Sequence, residues 1–124
     1  MKFLIIDDDQ YATKKISAAI AELGEVSICT SEGSFGGVMP PKEKVVDAIK
    51  QADFILLDGQ ICREYDGKQL LPLCKGKKVL GISTQFDLGD HNWFGKDRLT
   101  SSNKAQNQDA AMSLKEKVEQ MLAQ

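Results

Sequence analysis

Two short stretches of the chain are apolar without interruption and stop at acid: Phe3-Leu4-Ile5-Ile6 before Asp7-Asp8-Asp9, and Phe54-Ile55-Leu56-Leu57 before Asp58-Gly59. Runs of this kind, closed by turn residues, predict strands buried on both faces, as in a parallel sheet. The segments between them carry a different period. Ala12, Ile16, Ala19, Ile20 and Leu23 share one face of a helix predicted over residues 11–23, with Lys14, Lys15 and Glu22 off that face and Gly24 as a natural stop. Glu25–Cys29 reads as a second strand. Pro40-Pro41 opens a helix that buries Val45, Val46 and Ile49 and ends near Gln51, with strand three beginning at Asp53. A third helix starts near Gly67 and packs through Leu70, Leu71 and Leu73. Pro72 must lie in its first turn or kink it. Residues 77–82 form strand four, ending at Ser83-Thr84.

The remaining third is less regular. Asp87, Gly89, Asp90, Asn92 and Gly95 are poor helix formers, so a helix over residues 85–95 is short or absent. Residues 96–100 read as a weak fifth strand whose polarity suits an edge. Residues 101–108 read as a polar connection. The last helix covers about residues 109–122, with Asn107 or Asp109 as cap and Ala111, Leu114, Val118, Met121 and Leu122 on one face.

Strands alternating with helices imply right-handed crossovers and a parallel α/β sheet covered on both sides. In such sheets the chemistry lies beyond the carboxyl ends of the strands. A chain of 124 residues supports one core, and the expectation is a single domain over residues 1–124. The net charge of −2 argues against nucleic-acid binding by phosphate neutralisation. No apolar run approaches the ~20 residues of a membrane span. The N-terminal apolar run leads straight into acid and does not resemble a signal peptide. Cys29, Cys62 and Cys74 show no metal-ligand spacing, which suggests reduced thiols and a cytoplasmic setting. Gly33-Ser34-Phe35-Gly36-Gly37 lacks the Lys-Ser/Thr ending of a phosphate loop and reads as a surface loop.

If strands one and three are neighbours, Asp7, Asp8 and Asp58 meet at one edge. At an effective dielectric of ~20 and ~5 Å separation, each pair of like charges costs roughly 3 kcal/mol. Such a cluster calls for a hard divalent cation, and Mg²⁺ fits because it takes oxygen ligands and few carboxylates. A cation there neutralises an incoming phosphoryl group, and an Asp carboxylate can attack phosphorus. Ser83 or Thr84, at the end of strand four, can offer a hydroxyl to a phosphoryl oxygen.

These residues, in this order, resemble the receiver domain of two-component response regulators over nearly the whole chain. The likeness rests on Ile5-Ile6-Asp7-Asp8-Asp9, Ile55-Leu56-Leu57-Asp58, Asp66-Gly67 before helix three, and Val79-Leu80-Gly81-Ile82-Ser83-Thr84. It implies a flavodoxin-like, doubly wound five-stranded sheet in the order 2-1-3-4-5. It implies phosphotransfer from a histidine kinase or phosphotransfer protein to Asp58, and a downstream protein partner of unknown identity. Asp7, Asp8 and Asp58 would hold Mg²⁺ with the backbone carbonyl of Gln60, Ser83 would touch the phosphoryl group, and Thr84 is a second hydroxyl there.

The sequence also departs from the family. With strand five over residues 96–100, the position of the family's strand-five Lys falls near Ser101, and its aromatic position at Arg98. Lys104 is the candidate substitute cation, with Lys96 another basic residue nearby. Cys62 stands where Pro is usual, the loop after Asp58 is one residue longer, and the strand-four to strand-five segment is short. The resulting expectation is an atypical, stand-alone receiver, a phosphoacceptor rather than an enzyme. The alternatives are a pseudo-receiver that binds partners without phosphate control, or a haloacid dehalogenase-type phosphatase with Asp7 as nucleophile and Asp9 as acid.

Overall fold

Leu4, Ile5 and Ile6 are each at most 1% exposed, because the strand they form has neighbours on both sides and helices on both faces. A computed structural model describes residues 1–31, 38–62, 64–83 and 92–124. Within them β1 (Lys2–Ile6), β2 (Glu25–Cys29), β3 (Phe54–Leu57), β4 (Lys78–Ser83) and β5 (Asn92–Gly95) form one sheet in the order β2-β1-β3-β4-β5. Every pairing is parallel. The α-helical elements among the described residues are α1 (Gln10–Ile20), α2 (Lys42–Gln51), the short α3 (Gly67–Leu70) and α4 (Lys104–Leu122).

Alternation along the strands sorts the core into two layers. Leu4, Ile6, Ile55, Leu57 and Val79 face Val45 and Ile49 of α2 and Leu70 of α3. Phe3, Ile5, Phe54, Leu56, Leu80 and Ile82 face Ala12, Ile16 and Ile20 of α1 and Ala110, Leu114, Val118 and Met121 of α4. Each fully buried aliphatic or aromatic side chain contributes about 1.5–3 kcal/mol relative to exposure. The unbroken apolar runs are therefore what fixes β1 and β3 at the centre.

The helices are anchored by specific polar residues. Asp9 caps α1 by accepting from the N–H groups of Tyr11 and Ala12. Asp66 and Gln69 form a capping box on α3. Pro72 falls in the first turn of a 3₁₀ segment, Leu71–Cys74, which follows α3 directly. At the opposite end of the sheet, Lys77 Nζ donates to the carbonyls of Lys50 and Ala52 at the end of α2, and Lys78 Nζ donates to those of Met121 and Gln124 at the end of α4. Two adjacent ammonium groups thus offset the negative ends of two helices.

The expected sheet order and fold class are observed, but the last third of the chain differs from the sequence reading. Strand five is Asn92–Gly95, not residues 96–100. Residues 97–99 form a 3₁₀ turn, Asp97–Leu99, that buries Leu99 against the α1–α4 layer. The last helix begins at Lys104 rather than Asp109, and its cap is Asn103, whose side chain accepts from Ala105 and Gln106. Asn107 instead donates its amide to the carbonyls of Arg98 and Ser101. The helix expected to be short or missing between strands four and five, and the Gly-rich loop at 33–37, lie outside the described residues.

Candidate functional site

β1 and β3 pair in register, Ile6 beside Leu57, so the residues that follow them emerge together. Asp7 N–H donates to the carbonyl of Cys29 at 3.1 Å, and Asp58 N–H donates to that of Ile6 at 2.9 Å. The ladder therefore runs on through both acids. Ligand oxygens of Asp7, Asp8 and Asp58 lie within 4.8 Å of one another. Asp7 is fully buried and Asp58 is 4% exposed, while Asp8 is open to solvent.

Lys96 completes the group. It follows β5 directly, and its N–H donates to the carbonyl of Ser83 at 3.3 Å. Its ammonium reaches Asp7 Oδ2 at 2.7 Å and Asp58 Oδ2 at 3.0 Å. The other oxygen of each acid accepts from a backbone N–H, Asp7 Oδ1 from Asp9 at 3.0 Å and Asp58 Oδ1 from Gln60 at 3.3 Å. Burial, and next the charge of Asp58, pushes Asp7 up to about 8 against the pull of Lys96. The same two causes raise Asp8. Burial works against the Lys96 ammonium, yet Asp7 and Asp58 hold it above its ordinary value. Asp7, Asp8 and Lys96 all hold protons more tightly than they would in water. Burial and crowding do this at the carboxylates, and ion pairing does it at the amine.

Three carboxylates with one ammonium leave two negative charges when all are ionised. The donor set is hard oxygen with part of the rim exposed, which suits a divalent cation of the Mg²⁺ kind. Ser83 is 5% exposed, and its Oγ accepts from the indole N–H of Trp93 at 3.3 Å. Gln60 is exposed beside Asp58. Thr84 lies outside the described residues. Lys104, the candidate substitute cation, opens α4 at an exposed position, and Arg98 is exposed as well. Lys96 pairs with the acids instead.

The sequence reading sets strand five several residues too late, so it keeps Lys96 only as a second basic residue beside Lys104 and gives Trp93 no role at the acids. A signal is present. Trp93-Phe94-Gly95-Lys96 repeats on a small scale the pattern of an apolar run stopped by charge. Gly67, part of the Asp66-Gly67 motif before helix three, gains a physical reason in the structure. A Cβ on it would press into the Asp58 carbonyl and come 2.8 Å from Gly59 Cα. Its N–H donates to the Gly59 carbonyl at 2.9 Å, so the start of α3 closes tightly on the residues after β3.

No family model matches the chain, and no curated protein matches its sequence. Solved structures do. A beryllofluoride-activated DrrB receiver domain aligns with a TM-score of 0.69 at 17% identity, over 99% of this chain and 97% of that one. The response regulator DrrB of Thermotoga maritima, an OmpR/PhoB homologue, gives 0.67 at 16% identity, over 98% of this chain and 52% of that one. The N-terminal domain of a response regulator/sensory box/GGDEF protein from Carboxydothermus hydrogenoformans gives 0.57 at 16% identity, with full coverage of both. With its sheet order, its acid edge and these neighbours, the chain has the fold of response regulator receiver domains.

Proposed function

We propose that this chain is a phosphoacceptor signalling module in which Asp58 receives a phosphoryl group. The observation that carries this reading is the single Lys96 ammonium shared by Asp7 and Asp58, with Asp8 alongside. Asp7, Asp8 and Asp58 would hold Mg²⁺ together with the Gln60 carbonyl. When bound, the ion supplies charge neutralisation to the phosphoryl oxygens.

The chain's own residues account for the rest. A carboxylate oxygen of Asp58 attacks phosphorus, a P–O bond forms, and the bond from phosphorus to the donor breaks, with the donor imidazole or acyl oxygen leaving. Lys96 follows the negative charge from the Asp58 carboxylate to the phosphoryl oxygens. Ser83, whose Oγ lies against the Trp93 indole, is the hydroxyl that would contact a phosphoryl oxygen. The donor is a histidine kinase, a phosphotransfer protein or a small acyl phosphate, and the readout is a changed interaction with a downstream protein. Turnover is limited to slow self-catalysed transfer and hydrolysis. No helix among the described residues is long and apolar enough to cross a membrane.

The pseudo-receiver alternative draws its support from an absent strand-five Lys, and Lys96 removes that support. The phosphatase alternative needs Asp9 as an available acid, but the Asp9 carboxylate is engaged in capping α1. Incubation with acetyl phosphate and Mg²⁺, followed by intact-mass measurement, tests the proposal. A one-phosphate increase abolished by Asp58→Asn or by EDTA is expected. No adduct under conditions where Mg²⁺ binds would favour the pseudo-receiver.

A further inference from the structure

The chain between β3 and α3 is fastened to the chain just before α2. Tyr65 is 2% exposed, and its hydroxyl donates to the carbonyl of Pro40 at 2.6 Å. Its own carbonyl accepts from Cys62, from the N–H at 3.1 Å and the Sγ at 3.4 Å, which ties Cys62 to Tyr65. Ile61, 6% exposed, sinks into the same core layer. Gln60 therefore lies between Asp58, whose carboxylate its N–H meets, and an anchor made by Ile61 and the Cys62–Tyr65 pair.

Pro40 sits at a sensitive place. It precedes Pro41, the N-cap of α2, and Pro41 provides no side-chain cap. A helix entrance without a side-chain cap frays readily, since its first N–H groups have no intrahelical partner. The Pro40 carbonyl is where Tyr65 grips the chain just before that entrance.

We infer that Tyr65 is a positioning residue: through its buried hydroxyl on Pro40 it fixes the segment that presents Gln60 to the cation, and it couples occupation of the acid site to the first turn of α2. This rests on the cation reading given above. The coupling is reciprocal, as linkage requires. A cation that orders the Gln60 peptide steadies the Cys62–Tyr65 contact, that contact steadies the Tyr65–Pro40 bond, and the bond steadies the start of α2.

The test compares wild type, Tyr65→Phe and Ile20→Val. The last trims the opposite core layer and serves as a stability control. Mg²⁺ affinity is measured by calorimetry, and amide hydrogen exchange is followed in peptides spanning residues 39–46, with and without Mg²⁺. The expected result is Mg²⁺-dependent slowing of exchange in wild type, lost in Tyr65→Phe, with Mg²⁺ affinity in that variant reduced roughly tenfold, within the usual range of coupling between two sites. Ile20→Val should keep both properties. If Tyr65→Phe lowers only the melting temperature, as Ile20→Val does, the inference is overturned and Tyr65 is a packing residue. If wild type binds no Mg²⁺, the cation reading falls, and this inference falls with it.

Discussion

Lys96 Nζ stands 2.7 Å from Asp7 Oδ2 and 3.0 Å from Asp58 Oδ2, so one ammonium group joins the ends of β1 and β3 from the end of β5. All three residues are buried. Removing that ammonium leaves the two buried acids without a charged partner, though the Asp9 and Gln60 N–H groups still donate to them. Lys96→Met should therefore destabilise the metal-free protein by about 3 kcal/mol, read from urea denaturation. Mg²⁺ should restore more stability to this variant than it adds to wild type. A variant as stable as wild type would mean that the pair contributes nothing net.

Asp58→Asn removes a charge that helps push Asp7 up to about 8. The asparagine side chain still offers an oxygen to Lys96. The variant should melt higher than wild type without metal, by about 1 kcal/mol of stability for a shift of one unit at Asp7. Wild type should gain more than the variant on adding Mg²⁺. Equal gains would argue that Asp58 is not a ligand.

At Gly67 the backbone of Asp58 and Gly59 occupies the space that a side chain would need. Gly67→Ala should force the Asp58 segment outward, cost about 1–3 kcal/mol and, on the proposed function, slow phosphorylation by acetyl phosphate. Thermal melts and adduct formation over time would reveal both effects. An unchanged phosphorylation rate would show that Asp58 keeps its place when its surroundings shift.

Trp93 lies with its indole against Gly95, where a Cβ would come 3.2 Å from the ring, and donates to Ser83. Trp93→Phe keeps an aromatic ring and deletes the donor. It should cost about 1 kcal/mol and weaken the Ser83 contribution to phosphorylation. In wild type, fluorescence of this single tryptophan should change on phosphorylation. A Trp93→Phe protein phosphorylated at the wild-type rate would disconnect the indole from the site.

What was legible in the sequence was what burial dictates. β1 and β3 sit at the sheet centre and need unbroken apolar runs, so Asp7, Asp8 and Asp58 could be located from pattern alone. β5 is an edge strand with its Asn92 and Trp93 exposed, so few apolar residues are required there, and Asn92 and Gly95 look like turn. Within residues 96–100, read as a strand, Asp97–Leu99 instead forms a 3₁₀ turn that buries Leu99. The first turns of α4 carry Lys104, Gln106 and Gln108 at exposed positions, so the amphipathic pattern starts later than the helix. Setting β5 these few residues too late moved the expected cation position to Ser101 and put Lys104 ahead of Lys96, which is the residue that pairs with the acids.

The most direct test is to locate the phosphoryl group chemically. Protein treated with acetyl phosphate and Mg²⁺ is reduced with tritiated borohydride, which labels an acyl phosphate at its carbonyl carbon, and the peptides are sequenced. The account predicts label at position 58 alone, absent when EDTA replaces Mg²⁺ and strongly reduced in Lys96→Met. Label at Asp7 or Asp8, or labelling indifferent to Mg²⁺, would contradict it.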